Sequence, residues 1–91
     1  MPMRFRSKIG NRNLVGKTIA QLRKEKHIGQ GDLLNRIQLQ GIEMNQAKLS
    51  RIEGQKIAVI DRDLYAIAKA LEVSIDDLFQ RHTEDQNALQ G

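Results

Sequence analysis

The stretch Gly41–Lys56, GIEMNQAKLSRIEGQK, decides how the chain reads. Asn45 is a good N-cap, since its side-chain oxygen can accept from the free backbone N–H groups of a first helical turn. In the residues that follow, Leu49 and Ile52 stand three apart and form a narrow apolar stripe. Gln46, Ala47, Lys48 and Arg51 fall mainly elsewhere on the surface. Gly54 comes where a helix C-terminus favours it. The spacing therefore predicts a short helix over 46–53. It presents amides, a small gap and two cations, a set suited to base edges and phosphates in a DNA major groove. Taken alone, the same pattern also describes a solvated amphipathic helix, so the flanking sequence has to decide.

Working outward, Leu33, Leu34 and Ile37 supply the apolar face of a helix running from about Gln30–Asp32 to about Gln40, and Gly41 suits its C-terminal side. Two helices joined by a short Gly-containing turn are the arrangement of a helix-turn-helix. Before them, Val15, Ile19 and Leu22 recur at i, i+4 and i+7, which predicts a helix starting near Asn13 and ending at His27-Ile28-Gly29. His27 reads as a turn residue, because a metal site needs several ligands converging.

After Lys56, the apolar run Ile57–Ile60 has no partner strand and reads as a loop tucked onto the core. Asp61 is expected to cap a fourth helix carrying Leu64, Ile67, Ala68 and Leu71. Ser74-Ile75-Asp76-Asp77 is a capping box in acidic form, opening a fifth short helix with Leu78 and Phe79 inward. The expected architecture is all-α: a compact five-helix bundle with a central helix-turn-helix over 13–80. Residues 1–12 form a flexible basic arm, and 81–91 a flexible C-terminal tail.

Bulk properties narrow the function classes. Ninety-one residues suffice for one domain with a modest core. Without cysteine there is no disulfide framework or thiolate metal site, which fits a reducing, cytoplasmic setting. No apolar run is long enough to span a membrane, and MPMRFRSKIG lacks the apolar core of a secretory signal. The net charge of +4 is segregated. Residues 1–12 carry Arg4, Arg6, Lys8 and Arg12 and no acid; residues 13–56 hold eight cations against four acids; residues 57–91 hold three against seven. Basic arms and faces attract phosphate backbones. No nucleophile motif or glycine-rich phosphate loop appears and the two histidines lie far apart, so the reading is not an enzyme and implies no metal or cofactor.

Several runs together carry a family likeness. Leu22-Arg23-Lys24-Glu25-Lys26, Gln30, Leu33-Leu34, Leu49-Ser50-Arg51-Ile52-Glu53 and the run Ala66–Phe79 resemble the phage-repressor-like (Cro/C1-type) helix-turn-helix family, in its long-turn variant. The likeness covers about Val15–Phe79. It implies a lambda-repressor-like domain whose third helix reads a DNA major groove, usually as a homodimer. Carried over by position, Gln30 resembles the residue that grips a phosphate and braces the third helix. Gln46 matches the first reading position, Ala47 and Lys48 the next two, and Arg51 a later one. Arg23 and Glu53 match a buried pair tying the first helix to the third. Lys56 falls in a backbone-contacting loop, and Asn45 and Gln55 complete the expected DNA surface.

Three departures qualify the likeness. The connection through Gln38–Met44 is longer than in the shortest members. The loop reads Gly54-Gln55-Lys56 where the family has Asn-Gly-Lys. Ala47 cannot hydrogen-bond a base and can only pack against a thymine methyl. The functional expectation is a sequence-specific DNA-binding transcriptional regulator. The alternative is a protein-interaction module, antitoxin or adaptor, that uses the same fold to grip a protein partner.

Overall fold

The computed structural model describes residues 10–90, with side chains up to Asn87. Five α-helices and no strand occur among them: α1 (Gly16–Glu25), α2 (Gln30–Gln38), α3 (Gln46–Glu53), α4 (Asp61–Leu71) and α5 (Ile75–Gln90). The apolar stripes converge on one core. Val15, Ile19 and Leu22 meet Leu33 and Ile37 from α2, Leu49 and Ile52 from α3, and Leu78 from α5. α4 lies deepest, burying Ala66, Ile67, Ala68, Ala70 and Leu71. With almost no aromatic residues, the core rests on many Leu and Ile side chains, each fully buried one stabilising by about 1.5–3 kcal/mol. No helix of the described residues is long and apolar enough to cross a membrane.

α1 starts at Gly16, three residues later than the apolar spacing suggests, because Asn13 acts as its anchor from outside. Asn13 Oδ1 accepts from the Gly16 N–H at 2.7 Å, while its Nδ2 donates to the Ile52 carbonyl at 3.1 Å and the Ile57 carbonyl at 2.8 Å. One amide thus holds the first residue of α1 and binds it to the far end of α3. The backbones approach so closely that a Cβ on Gly16 would lie 1.9 Å from the Ile52 oxygen. Upstream, the Gly10 N–H donates to the Gly54 carbonyl and the Arg12 N–H to the Gln55 carbonyl. A Cβ at Gly10 would fall 1.8 Å from the Gln55 oxygen. Residues 10–13 are therefore a strap across the C-terminal end of α3. The expected flexible arm over 1–12 is corrected at its base: Gly10 and Arg12 are bonded into the domain, and the remainder, residues 1–9, lies outside the described residues.

The remaining ends follow local chemistry. α2 closes at Gln38, two residues before the expected Gln40, and Gly41 takes φ +83°. The connection to α3 is held by side chains: Gln38 Nε2 donates to the Met44 carbonyl and Gln40 Nε2 to the Ala66 carbonyl on α4. Asn45 caps α3, its Oδ1 accepting from the Lys48 N–H at 2.8 Å. α3 covers the expected residues, but its left-handed terminal residue is Gln55, φ +59°, and not Gly54, φ −84°. Asp61 does not cap α4. Ile60 is the N-cap and makes no side-chain bond, and Asp61 and Asp63 occupy the first turn, where the helix dipole favours them.

The Ser74–Asp77 capping box forms as expected. The Ser74 backbone N–H, and next the Ser74 hydroxyl, hold the Asp77 carboxyl below its usual pKa. α5 then continues to Gln90, where the sequence reading ends it near residue 80. The extension is tied back by Arg81, which pairs with Glu25 on α1 at 2.9 Å. Phe79 is also displaced from its expected inward position. Leu78 is buried completely, whereas Phe79 is 39% exposed.

Asn13→Ala should destabilise the domain by about 2–3 kcal/mol, because two carbonyls and one N–H lose their partner together. Urea unfolding monitored by helical signal measures this; a loss below about 0.5 kcal/mol would mean that water substitutes for the amide.

Candidate nucleic-acid interface

α3 turns Leu49 and Ile52 into the core and leaves Gln46, Ala47, Ser50 and Arg51 exposed on its other side. Its inner edge is clamped by charge. Arg23 Nε donates to Glu53 Oε2 at 2.8 Å and Arg23 Nη2 to Oε1 at 3.1 Å, a two-pronged pair in which both side chains are nearly buried. The third guanidinium nitrogen donates to the Ile28 carbonyl. Every prong of Arg23 thus has a partner, which is what a mostly buried cation requires.

Gln30, the first residue of α2, extends the clamp. Its Nε2 donates to Glu53 Oε1 at 3.1 Å, and its Oε1 accepts from Gln46 Nε2 and Ser50 Oγ, each at 3.2 Å. The amide's orientation follows from chemistry: an ionised carboxylate only accepts, so the NH₂ of Gln30 must face Glu53 and its oxygen must face α3. That polarity passes to Gln46. With one N–H directed at Gln30, Gln46 keeps its own oxygen and one N–H for the outside, an acceptor beside a donor. Adenine presents the complementary pair in the major groove, N6–H₂ and N7.

The other expected site residues divide. Ala47 and Arg51 are exposed on α3, and Arg12 and Lys56 are exposed next to the strap and loop. Arg51 and Lys56 have no ion-pair partner among the described residues. Asn45 is exposed, but its Oδ1 is engaged in capping. Two positions are redirected. Gln55 donates its Nε2 to the Asn13 carbonyl at 3.0 Å and stands in the left-handed region, so its side chain holds the strap. Lys48 crosses to α4, where its ammonium lies 2.8 Å from Asp63 Oδ2. Its charge belongs to that carboxylate and not to the outward row. Arg4, Arg6 and Lys8 lie outside the described residues.

Ser50, Asp63 and Asn13 were not singled out from sequence. Asp63 had a findable signal, because it shares the stripe of Ile67 and Ala70 at i, i+4 and i+7, an acid on an apolar face. Among the described residues no cluster of His, Cys, Asp or Glu could hold a metal ion. His27 stands in the turn after α1, exposed, with φ +59°. Comparison with protein-family models, with curated proteins and with solved structures returns no match.

Arg23→Ala should destabilise the fold by about 3–5 kcal/mol by leaving Glu53 uncompensated, while Arg23→Met combined with Glu53→Leu should recover most of that loss. Urea titration of the three proteins checks this, and a double variant no better than the single one would mean that the charge pair is not the cause.

Proposed function

We propose that this chain is a sequence-specific double-stranded-DNA-binding protein, a small transcriptional regulator in which α2 and α3 act as a helix-turn-helix with α3 in the major groove. One observation carries the reading. The polar outer row of α3 stands on a helix whose inner side is fixed by Arg23, Glu53 and Gln30, so that Gln46 points a defined donor and acceptor outward. A merely solvated face needs no such bracing. In this reading Gln46 and Arg51 read bases, Ala47 packs against a thymine methyl, and Lys56 and Arg12, neighbours beyond the C-terminal end of α3, contact phosphates. The likeness of LSRIE and IAKALEVSIDDLF to the repressor-like family supports the same assignment.

A single eight-residue helix spans too few base pairs to specify a unique site, so the chain acts as a two-fold dimer on a pseudo-palindrome. In the loop 56–60 and around residues 78–79, Ile57, Val59 and Leu78 pack against the monomer's own core, which leaves Ile60 and Phe79 as the apolar side chains of that region for pairing. A surface that small favours assembly on the DNA.

Selection from a random DNA pool tests the function. The expected result is an enriched motif bound with a steep salt dependence, since each neutralised phosphate contributes about −0.9 to the slope of log K against log salt. A pool without an enriched motif, together with salt-insensitive capture of a protein, would favour the interaction module. On the enriched site, Gln46→Ala should weaken binding by about 1–3 kcal/mol and relax preference at one base pair per half-site; equal weakening on all sequences would remove Gln46 from base reading. Footprinting should show two protected half-sites roughly 34 Å apart, whereas one protected half-site at one protein per duplex would exclude the dimer.

A further inference from the structure

Asp63 is the most conspicuous polar side chain outside the clamp. It stands in the first turn of α4, 1% exposed, the one polar residue among those that α4 buries. Its Oδ2 has no hydrogen-bond donor among the described residues. The Lys48 ammonium approaches that oxygen to 2.8 Å, a charge contact without hydrogen-bond alignment. No other described cation pairs with Asp63. A carboxylate removed from water needs a counter-charge far more than a half-exposed ammonium does. The interaction is therefore lopsided: Asp63 depends on Lys48, and Lys48, 38% exposed at its side chain, would be satisfied by solvent.

The location gives this asymmetry a consequence. Lys48 is the third residue of α3, immediately after Ala47 in the outward row. A free lysine there would place a long, mobile cation at the edge of the groove. Cations of that kind bind phosphates of any sequence, raising non-specific affinity as much as specific affinity. The ammonium is instead drawn across to the start of α4. For Lys48 to reach a phosphate it would have to abandon a buried carboxylate, and a single solvent-facing phosphate contact is too weak a return for that.

We propose that Asp63 is a positioning residue that withholds Lys48 from the DNA backbone, so that the centre of α3 discriminates through Gln46 and Arg51 without a sequence-blind cation beside them. The inference rests on the DNA-binding reading and adds a determinant of specificity to it. It also separates Lys48 from Lys56 and Arg51, which no acid neutralises among the described residues.

Three variants test it: Asp63→Asn, Lys48→Met and the double variant K48M/D63N. Binding is measured against salt on a duplex of arbitrary sequence and on a site enriched from a random pool. Asp63→Asn releases one cation, so its salt slope should steepen by about 0.9 and its affinity for the arbitrary duplex should rise several-fold at low salt. K48M/D63N should keep the wild-type slope, because the charge it removes was never on a phosphate. An unchanged slope for Asp63→Asn would overturn the proposal, and so would a slope for the double variant shallower than wild type by about 0.9. Should Asp63→Asn fail to fold, the double variant decides alone. Melting supplies a readout free of DNA: Lys48→Met should melt well below K48M/D63N, since only the single variant strands the buried carboxylate. Equal melting would overturn the pairing itself, whereas a correct melting pattern in a chain that binds no duplex would fault only the DNA reading.

Discussion

The ion pair between Arg23 and Glu53 sets the terms for everything on the outer side of α3. It joins α1 to α3 across 30 residues of chain at 2.8 Å, with both partners largely withdrawn from water. Because Glu53 can only accept, it dictates the orientation of the Gln30 amide, and Gln30 in turn dictates which end of Gln46 faces outward. A charge fixed inside the fold is thus converted, through two neutral amides, into a defined pattern of donor and acceptor on the surface. Pre-organised polar groups lose little rotamer freedom when they meet a partner, which is how bracing of this kind is turned into selectivity.

The ion pairs differ greatly in weight. Arg81 and Glu25 also stand 2.9 Å apart, but both are well exposed, and such pairs contribute about 0–1 kcal/mol. Their effect is local, keeping the later turns of α5 against α1. Lys48 and Asp63 fall between these cases, with one partner buried and the other half in solvent. Distance alone would rank the three as equals; burial separates them.

What could be read from the chain was the part governed by near neighbours. The limits of α3, the Asn45 cap and the Ser74–Asp77 box depend on residues three or four apart, and all are present as expected. The Arg23–Glu53 pair came only through resemblance, since nothing in the spacing of two charges 30 residues apart announces a contact. Three of the misses share one cause. Asn13, Gly10 and Gly16 matter because of backbone more than 35 residues downstream, and no local pattern encodes that approach. Gln55, placed on the expected DNA surface, takes a left-handed backbone and donates its amide to the Asn13 carbonyl, a long-range contact that no local pattern shows. α5 outran its apolar stripe because an ion pair and ordinary helix propensity suffice to continue a helix already begun.

The strap of residues 10–13 also bears on the order in which the molecule assembles. Its partners, residues 52–57, are some 40 positions away, so it can dock only once α1 has packed against α3, and it does so in return for a few hydrogen bonds and little apolar area. Contacts of that kind form late, after α1, α3 and α4 have condensed around Ile19, Ile52 and Ile67. Contacts of that kind also open in native-state fluctuations at a free energy below global unfolding. The C-terminal edge of α3 can therefore loosen while the core stays shut. Amide protons of Gly10 and Arg12 would exchange through that local opening, and those in the middle of α4 only when the whole domain unfolds.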